Sequence, residues 1–352
     1  MKVLIIALSG IGNLIMAFPM INEFKKKYPD SEVNFLVSPR GTKELLDGQD
    51  FVNNIFTLDS ELILDLFLKN KSKKLISQLN GDNYDHTITI YPSQGIFSAI
   101  LMKLINSKNR IQHKYNFKVF KDIGWFLTYS PKIKDNHSVF VNLDLLDDLS
   151  LTCNAEDLTY NYNLKNESVK FANEFFVENE LKDKFVIGIH PGGKNDLIWK
   201  RWDIKNWQNQ IELFEKNYSN KIKFLIFLGP DEKEYEIYFK DFKSAVIVKD
   251  VSLQNTISLI SKCGYFIGND SGLSHCASLF KIPQSVIFGG TSYVHTAPFS
   301  DKVNLILPKN YDVFYIPYYG FIKKPVNLLV NLKAETVFKS VCSHMNSLNL
   351  LK

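Results

Sequence analysis

Cysteine is scarce in this chain of 352 residues: Cys153, Cys263, Cys276 and Cys342 lie far apart, with no CxxC or CxxH spacing. That argues against a zinc site or a disulfide framework and fits a reducing cytoplasm. Cys276 falls on a helix face and reads as plain core. Long apolar runs are missing as well. None approaches the ~18–20 residues that span a bilayer, so an integral membrane protein is disfavoured. Residues 3–8 have a faint likeness to a secretion signal, but the block is short and Gly10, Gly12 and Asn13 interrupt it. A buried first strand is the better reading. Charge of one sign is also weak. The formal net charge of +5 is scattered, too little to argue for a nucleic-acid module, so no nucleic-acid partner is expected. Two short basic runs, 25–27 and 69–74, are either solvated helix ends or a bias towards an anionic membrane surface. No short-period repeat and no low-complexity segment is present.

What is there is an ordinary globular composition, 45% hydrophobic and 22% charged, which sets disorder aside. At about 100–200 residues per domain, the length suggests two domains. The dominant pattern is strand, turn, helix, repeated. Residues 3–8 form a continuous apolar run suited to a strand covered on both faces. Leu14, Phe18, Ile21 and Phe24 then recur at helical spacing, with Pro19 either kinking that helix or sitting in an early turn. Further strands are expected at 32–37, 55–58 and 87–91, with helical stretches at 60–79 and 94–105. A polar segment at 151–166 reads as a link, after which the cycle restarts. The second half promises helices at 168–180, 206–218, 232–242 and 272–280, and strands at 185–190, 223–227, 245–248, 265–267 and 285–288. Leu253, Ile257 and Ile260 mark one more helix, and Phe338, Val341, Met345 and Leu348 a closing amphipathic one. Such alternation implies right-handed βαβ units and parallel sheets, whose ligands bind beyond the carboxyl ends of the strands.

The turns after the strands are therefore where chemistry is sought. The first holds Ser9, Gly10, Ile11, Gly12 and Asn13. Its glycines permit close backbone approach at a helix start, yet Ala17, Phe18 and Pro19 follow where a dinucleotide fingerprint needs glycine and helix. No Walker A lysine is present either. A tight connection without a ligand explains this turn equally well. The second turn runs through His190, Pro191, Gly192, Gly193 and Lys194 to Trp199, Lys200, Arg201 and Trp202. Exposed amides beside cations suit an anionic leaving group such as a diphosphate. Its tryptophans either stack on a base or sugar or serve as buried anchors. In the third turn, Asp231 and Glu232 are either helix N-terminal charge or acceptors for ribose hydroxyls. The fourth is the sharpest: Gly268, Asn269, Asp270, Ser271, Gly272, Leu273, Ser274, His275, Cys276 and Ala277. Asp270 or Ser271 can cap the helix there, and the amides of Ser271, Gly272 and Leu273 can face a phosphate. His275 is either a satisfied core histidine or a ligand to diphosphate or sugar. The fifth turn carries Gly289, Gly290, Thr291 and Ser292.

Together, GIGN with Pro19 downstream, HPGG…KRW, LGPDE, GNDSGLSHCA, then Pro283 and FGGTS resemble glycosyltransferase family 9, the ADP-heptose:lipopolysaccharide heptosyltransferases. The resemblance extends from Lys2 to the last helix. It implies an α/β GT-B fold: two Rossmann-like domains facing each other across a cleft, 1–165 for the acceptor and 166–332 for the nucleotide-sugar. A C-terminal helix at 333–352 is expected to pack back towards the first domain. It further implies inverting transfer with no cofactor and no metal. By carry-over, Gly192, Gly193, Lys194, Lys200, Glu232 (or Asp231), Asp270, Ser271, Gly272, Leu273, His275 and Thr291 bind the donor, with Lys200 near its phosphates. Gly10, Gly12 and Asn13 face the acceptor. One departure matters. The family has an aspartate, taken to be the base, where this chain has Asn13. A neutral amide cannot usefully accept the proton. Either another group acts, with Asp59, Asp85, His86 and His113 as candidates, or Asn13 orients the acceptor while water or a donor phosphate oxygen takes the proton, or transfer has been lost.

The expected activity is sugar transfer, with ADP-heptose the favoured donor and a lipopolysaccharide-type glycan or glycolipid the acceptor, met at the cytoplasmic face of the inner membrane. Alternatives are a hexose or N-acetylhexosamine donor, a non-catalytic nucleotide-sugar binder, or a sugar-nucleotide epimerase. The aromatic, basic stretch 311–324 either touches acceptor or membrane, or is a packed loop before the last helix.

Overall fold

The computed structural model describes residues 1–39, 41–58, 70–114, 124–149, 158–193, 195–218, 221–317 and 320–351, side chains of 70–72 and 195 excepted. It divides into two compact units, Met1–Asn163 and Leu164–Lys352.

The first unit is built on β1 (Lys2–Ala7), β2 (Glu32–Val37), β3 (Asn54–Thr57), β4 (His86–Thr89) and β5 (Asn109–Ile111), in the order β3-β2-β1-β4-β5. Every pairing is parallel. β1 and β2 are buried along nearly their whole length because helices cover both faces, which explains their unbroken apolar sequence. Pro19 settles the form of the first helix. A short helix, Ile11–Ile15, stops, and a second, Phe18–Lys27, begins with Pro19 in its first turn, where a missing amide proton costs nothing. The helix expected at 94–105 starts at Ile96, after Gly95, and ends at Leu104. Of the helix expected at 60–79, only Asn70–Gly81 lies within the described residues. Residues 151–157 of the expected link also lie outside them.

In the second unit, β6 (Phe185–His190), β7 (Ile222–Phe227), β8 (Ala245–Val248), β9 (Tyr265–Asn269), β10 (Gln284–Ile287) and β11 (Val303–Ile306) form a parallel sheet, ordered β11-β10-β9-β6-β7-β8. The helix Ile204–Tyr218 buries Trp207, Ile211 and Phe214 against it. A small antiparallel hairpin, β12 (Tyr315–Ile316) and β13 (Gly320–Phe321), follows. The stretch expected as one helix at 232–242 is a 3-10 segment, Pro230–Tyr235, running into a single helical turn, Glu236–Phe239. Its tighter start goes with Glu232, whose carboxylate reaches back to the Gly229 amide. In the closing helix, Ala334–Ser347, Val337, Val341 and Met345 lie in the core of the second unit, beside Phe214 and Ile306. Among the described residues, no helix is long and apolar enough to cross a membrane.

Candidate functional site

In the second unit the strand order reverses between β6 and β9. Loops leaving those neighbours diverge, and such a switch point leaves a crevice at the carboxyl ends. The second and fourth turns of the sequence meet there.

Asn269, the last residue of β9, is fully buried and joins three segments. Its Nδ2 donates to the carbonyls of Pro191 (2.8 Å) and Gly192 (3.0 Å), and its Oδ1 accepts from the Trp202 amide at 3.2 Å. Sequence reading placed this residue in the fourth turn without a role of its own; an amide at a strand end just before an acidic residue was the available signal. Glu232 is the second clamp. One carboxylate oxygen accepts from the Gly193 amide (2.8 Å), the other from the Gly229 amide (2.9 Å). Gly192 is required beside it, because a Cβ there would stand 2.3 Å from the Glu232 carboxylate. Asp231 points to solvent instead. Burial pushes the Glu232 carboxyl up, while the Gly193 amide, Arg201 and the Gly229 amide pull it back. Arg201, one of the second turn's cations, donates to the Gly193 carbonyl and to the Tyr235 hydroxyl (3.2 Å), and its guanidinium lies 3.5 Å from Glu232. Burial, helped by Arg201, depresses His190 to about 4, so the ring is neutral at pH 7. Its Nδ1 lies 2.8 Å from the Ser271 hydroxyl.

Lys200 ends the 3-10 segment Asn195–Lys200, and its ammonium donates to Asp270 at 2.7 Å. Both groups are largely withdrawn from water, with side chains 15% and 7% exposed. Neither Asp270 nor Ser271 caps the helix Gly272–Ser278 with its side chain: the carboxylate is taken by Lys200 and the hydroxyl lies against His190. The first amides of that helix have no intrahelical acceptor, and Gly272 and Leu273 are half-buried there. His275 is buried on the same helix. Thr291 is buried, and among the described residues its hydroxyl has no hydrogen-bond partner. The glycines of the fifth turn serve packing: a Cβ on Gly290 would fall on the Phe314 ring, and one on Gly289 would meet the Trp199 carbonyl at 2.9 Å. Trp202 is a buried anchor, its Nε1 donating to the Leu332 carbonyl at 2.7 Å. Lys194 lies outside the described residues.

The equivalent switch point in the first unit lies between β1 and β4. Gly10 precedes the helix Ile11–Ile15, within which Gly12 and Asn13 are half-buried. The turns after the two strands touch through Ser93, whose hydroxyl donates to Ser9 at 2.8 Å. A cavity of about 280 Å³ opens beside them, lined by Ser9, Leu58, Ser93, Gln94 and Phe97 among others. Of the four base candidates, Asp59 lies outside the described residues. Asp85 and His86 sit at the amino end of β4, the opposite edge of the sheet from Asn13. The bond from Lys108 holds the Asp85 carboxyl below its usual range. Burial lowers His86 and drives His113 down to about 3. His113 follows β5, is fully buried, and meets the Gln94 amide at 2.9 Å. Among the described residues no group of three or more His, Cys, Asp or Glu side chains is placed to hold a metal ion.

Residues 72–313 match the model of glycosyltransferase family 9 (heptosyltransferase). The chain belongs to that family. This glycosyltransferase is 22% identical to lipopolysaccharide heptosyltransferase 3 of Escherichia coli K12 over 307 residues, covering 85% of the chain and 86% of the relative. It is 24% identical to lipooligosaccharide heptosyltransferase 2 of Campylobacter jejuni over 310 residues, 86% and 85% of the two chains. The solved E. coli heptosyltransferase WaaC with ADP superposes with a TM-score of 0.76 at 16% identity, over 98% of this transferase and 100% of that chain. A family 9 glycosyl transferase from Veillonella parvula gives 0.76 at 16% identity, over 98% and 97%. The two Rossmann-like units are those of the GT-B fold.

Proposed function

We propose that this transferase moves heptose from ADP-heptose to a lipopolysaccharide-type glycan acceptor, with inversion and without a metal. The names of the relatives support the sugar and the acceptor class. One observation carries the chemistry: a largely buried ammonium, Lys200, stands where the β6 and β9 loops diverge and pairs with Asp270, just before the helix Gly272–Ser278, whose first amides have no intrahelical acceptor.

The acceptor hydroxyl attacks the anomeric carbon from the face opposite the diphosphate. A carbon–oxygen bond forms to the acceptor as the bond to the diphosphate oxygen breaks, and that electron pair leaves with the diphosphate. Negative charge grows on the leaving group, and Lys200 with the loop amides stabilises it. Glu232 takes the ribose hydroxyls; its oxygens accept one backbone amide each and keep further lone pairs for a ligand. Asn13 orients the acceptor hydroxyl, and its proton passes to water or to the departing diphosphate. The acceptor's lipid anchor brings the transferase to the cytoplasmic face of the inner membrane.

Thermal unfolding with a panel of nucleotide-sugars, followed by transfer assays in chelator, tests this. ADP-heptose should raise the unfolding midpoint most, since ~100-fold saturation of a folded-state site adds about 2.7 kcal/mol. ADP release should then require the acceptor. Binding without ADP release would leave only a sugar-nucleotide binder, and release that needs a divalent ion would overturn the metal-free mechanism.

A further inference from the structure

Residues 311–324 remain unassigned by this mechanism, and the structure packs part of them over its central cation. The hairpin is pinned to the fifth turn: the amides of Phe314 and Tyr315 both donate to the Gly290 carbonyl, at 2.9 and 3.0 Å, and Ser292 donates to the Tyr315 carbonyl at 3.1 Å. Gly290 has no side chain to keep the Phe314 ring away. Phe314 then meets Trp199 edge-on at 4.7 Å between ring centroids, and Phe321 joins Tyr315 at 5.1 Å. The outcome is an aromatic bracket around one ammonium. Lys200 Nζ lies 5.4 Å from the Trp199 ring centroid and 5.7 Å from that of Tyr315, with Asp270 on its remaining contact at 2.7 Å.

We propose that Tyr315 is a positioning residue for Lys200: its ring holds the ammonium at the β6/β9 crevice by a cation–π contact. The chemistry favours this over mere filler. A lysine side chain is long and flexible, and an ion pair with Asp270 fixes only one direction of its head. Asp270 also competes with an incoming diphosphate for the same charge. An aromatic face attracts the ammonium without carrying a charge of its own, so it holds Lys200 in place when Asp270 and a diphosphate share it. Burial and the nearby Asp270 charge keep the Tyr315 phenol protonated, so its ring stays neutral across the working pH range. Trp199 cannot do this alone, since it is Lys200's own chain neighbour and moves with it, whereas Tyr315 arrives from the fifth turn.

The inference rests on Lys200 being the diphosphate contact, and a double-mutant cycle separates the two claims. Tyr315→Leu should lower kcat about tenfold, within the range cation–π contacts reach when desolvated, with a smaller change in donor KM. Phenylalanine keeps the ring, so Tyr315→Phe should recover turnover to within about threefold of wild type. On a Lys200→Ala background, Tyr315→Leu should cost nothing further. Thermal unfolding of each variant checks the fold, and Tyr315→Met, whose side chain adapts to the space, replaces the leucine variant if that one does not fold. Wild-type turnover in Tyr315→Leu, an equal loss in Tyr315→Phe, or the same loss on both backgrounds would overturn the proposal. Full turnover in Lys200→Ala alone would instead remove Lys200 from the mechanism.

Discussion

The two sheets have the same core order, with a strand reversal at their centres, yet their switch points are furnished differently. Between β6 and β9 nearly every polar side chain is engaged before a ligand arrives: Asn269 holds three main-chain groups, Glu232 two, Arg201 one carbonyl and one hydroxyl, and Lys200 a carboxylate. Between β1 and β4 the described turns carry no charged side chain, and one serine pair joins them over a cavity. A preorganised polar frame is what stabilising a departing diphosphate demands, because dipoles already in place need no reorganisation during reaction. Holding a glycan hydroxyl demands much less. The contrast predicts that substitutions in the second site act on chemistry, and equivalent ones in the first act weakly.

The largest effect is expected from Lys200→Ala. Loss of one preorganised charge-stabilising contact costs roughly 10²-fold or more in turnover. Steady-state transfer at saturating donor measures it. Unchanged turnover would place the leaving-group contact elsewhere.

A matched glycine pair tests the contrast more sharply. In Gly192→Ala the new Cβ would stand 2.3 Å from the Glu232 carboxylate, forcing it off the Gly193 and Gly229 amides. Overpacking and the orphaned amides should lower stability by about 1–3 kcal/mol, and on the ribose role proposed for Glu232 the donor KM should rise about tenfold. Gly10 heads the first unit's turn with φ of −72°, and a Cβ there meets nothing within 4 Å. Gly10→Ala should therefore shift stability by less than about 0.5 kcal/mol. Denaturant midpoints and donor KM of the two variants decide it. Equal effects would show that the first turn is as tightly built as the second.

How far the sequence told this in advance follows the same division. Long, doubly buried strands such as residues 185–190 were legible because every position is apolar, and so was the parallel architecture. β5 and β11 were not: one is three residues with Asn and Arg, the other a half-exposed edge strand with Asn304, and neither shows a period. The hairpin β12–β13 escaped because its two-residue strands owe their shape to Gly290 and Trp199, far away in sequence. Motifs singled out the turns that carry Lys200 and Asp270, and the structure pairs these two side chains at one strand edge. The roles of Asn269 and Arg201, which tie down the main chain of the second turn, were not found. A clamp on main-chain atoms leaves no spacing in the sequence, since its partners are carbonyls and amides that every residue possesses.

The smallest expected effect is also the one that probes the bare site. Asn13→Asp restores a carboxylate at the position where the family has its aspartate. A general base contributes about 10²–10⁴-fold where the mechanism depends on it. If the proton instead leaves to water or to the diphosphate, the new carboxylate should change kcat by less than about tenfold at neutral pH, because it supplements a working route. The pH profile distinguishes the routes better than the rate. A base must be ionised, so activity in Asn13→Asp should fall as pH drops through the ordinary carboxylate range near 4. Wild type should lack that limb: Asp85 and His86 stand on the far edge of the sheet, and His113 is buried, neutral and titrates near 3. Measuring kcat between pH 4 and 8 for both proteins compares them directly. A carboxylate limb already present in wild type would mean that another acidic residue does the work, and Asp59 would be the first to replace.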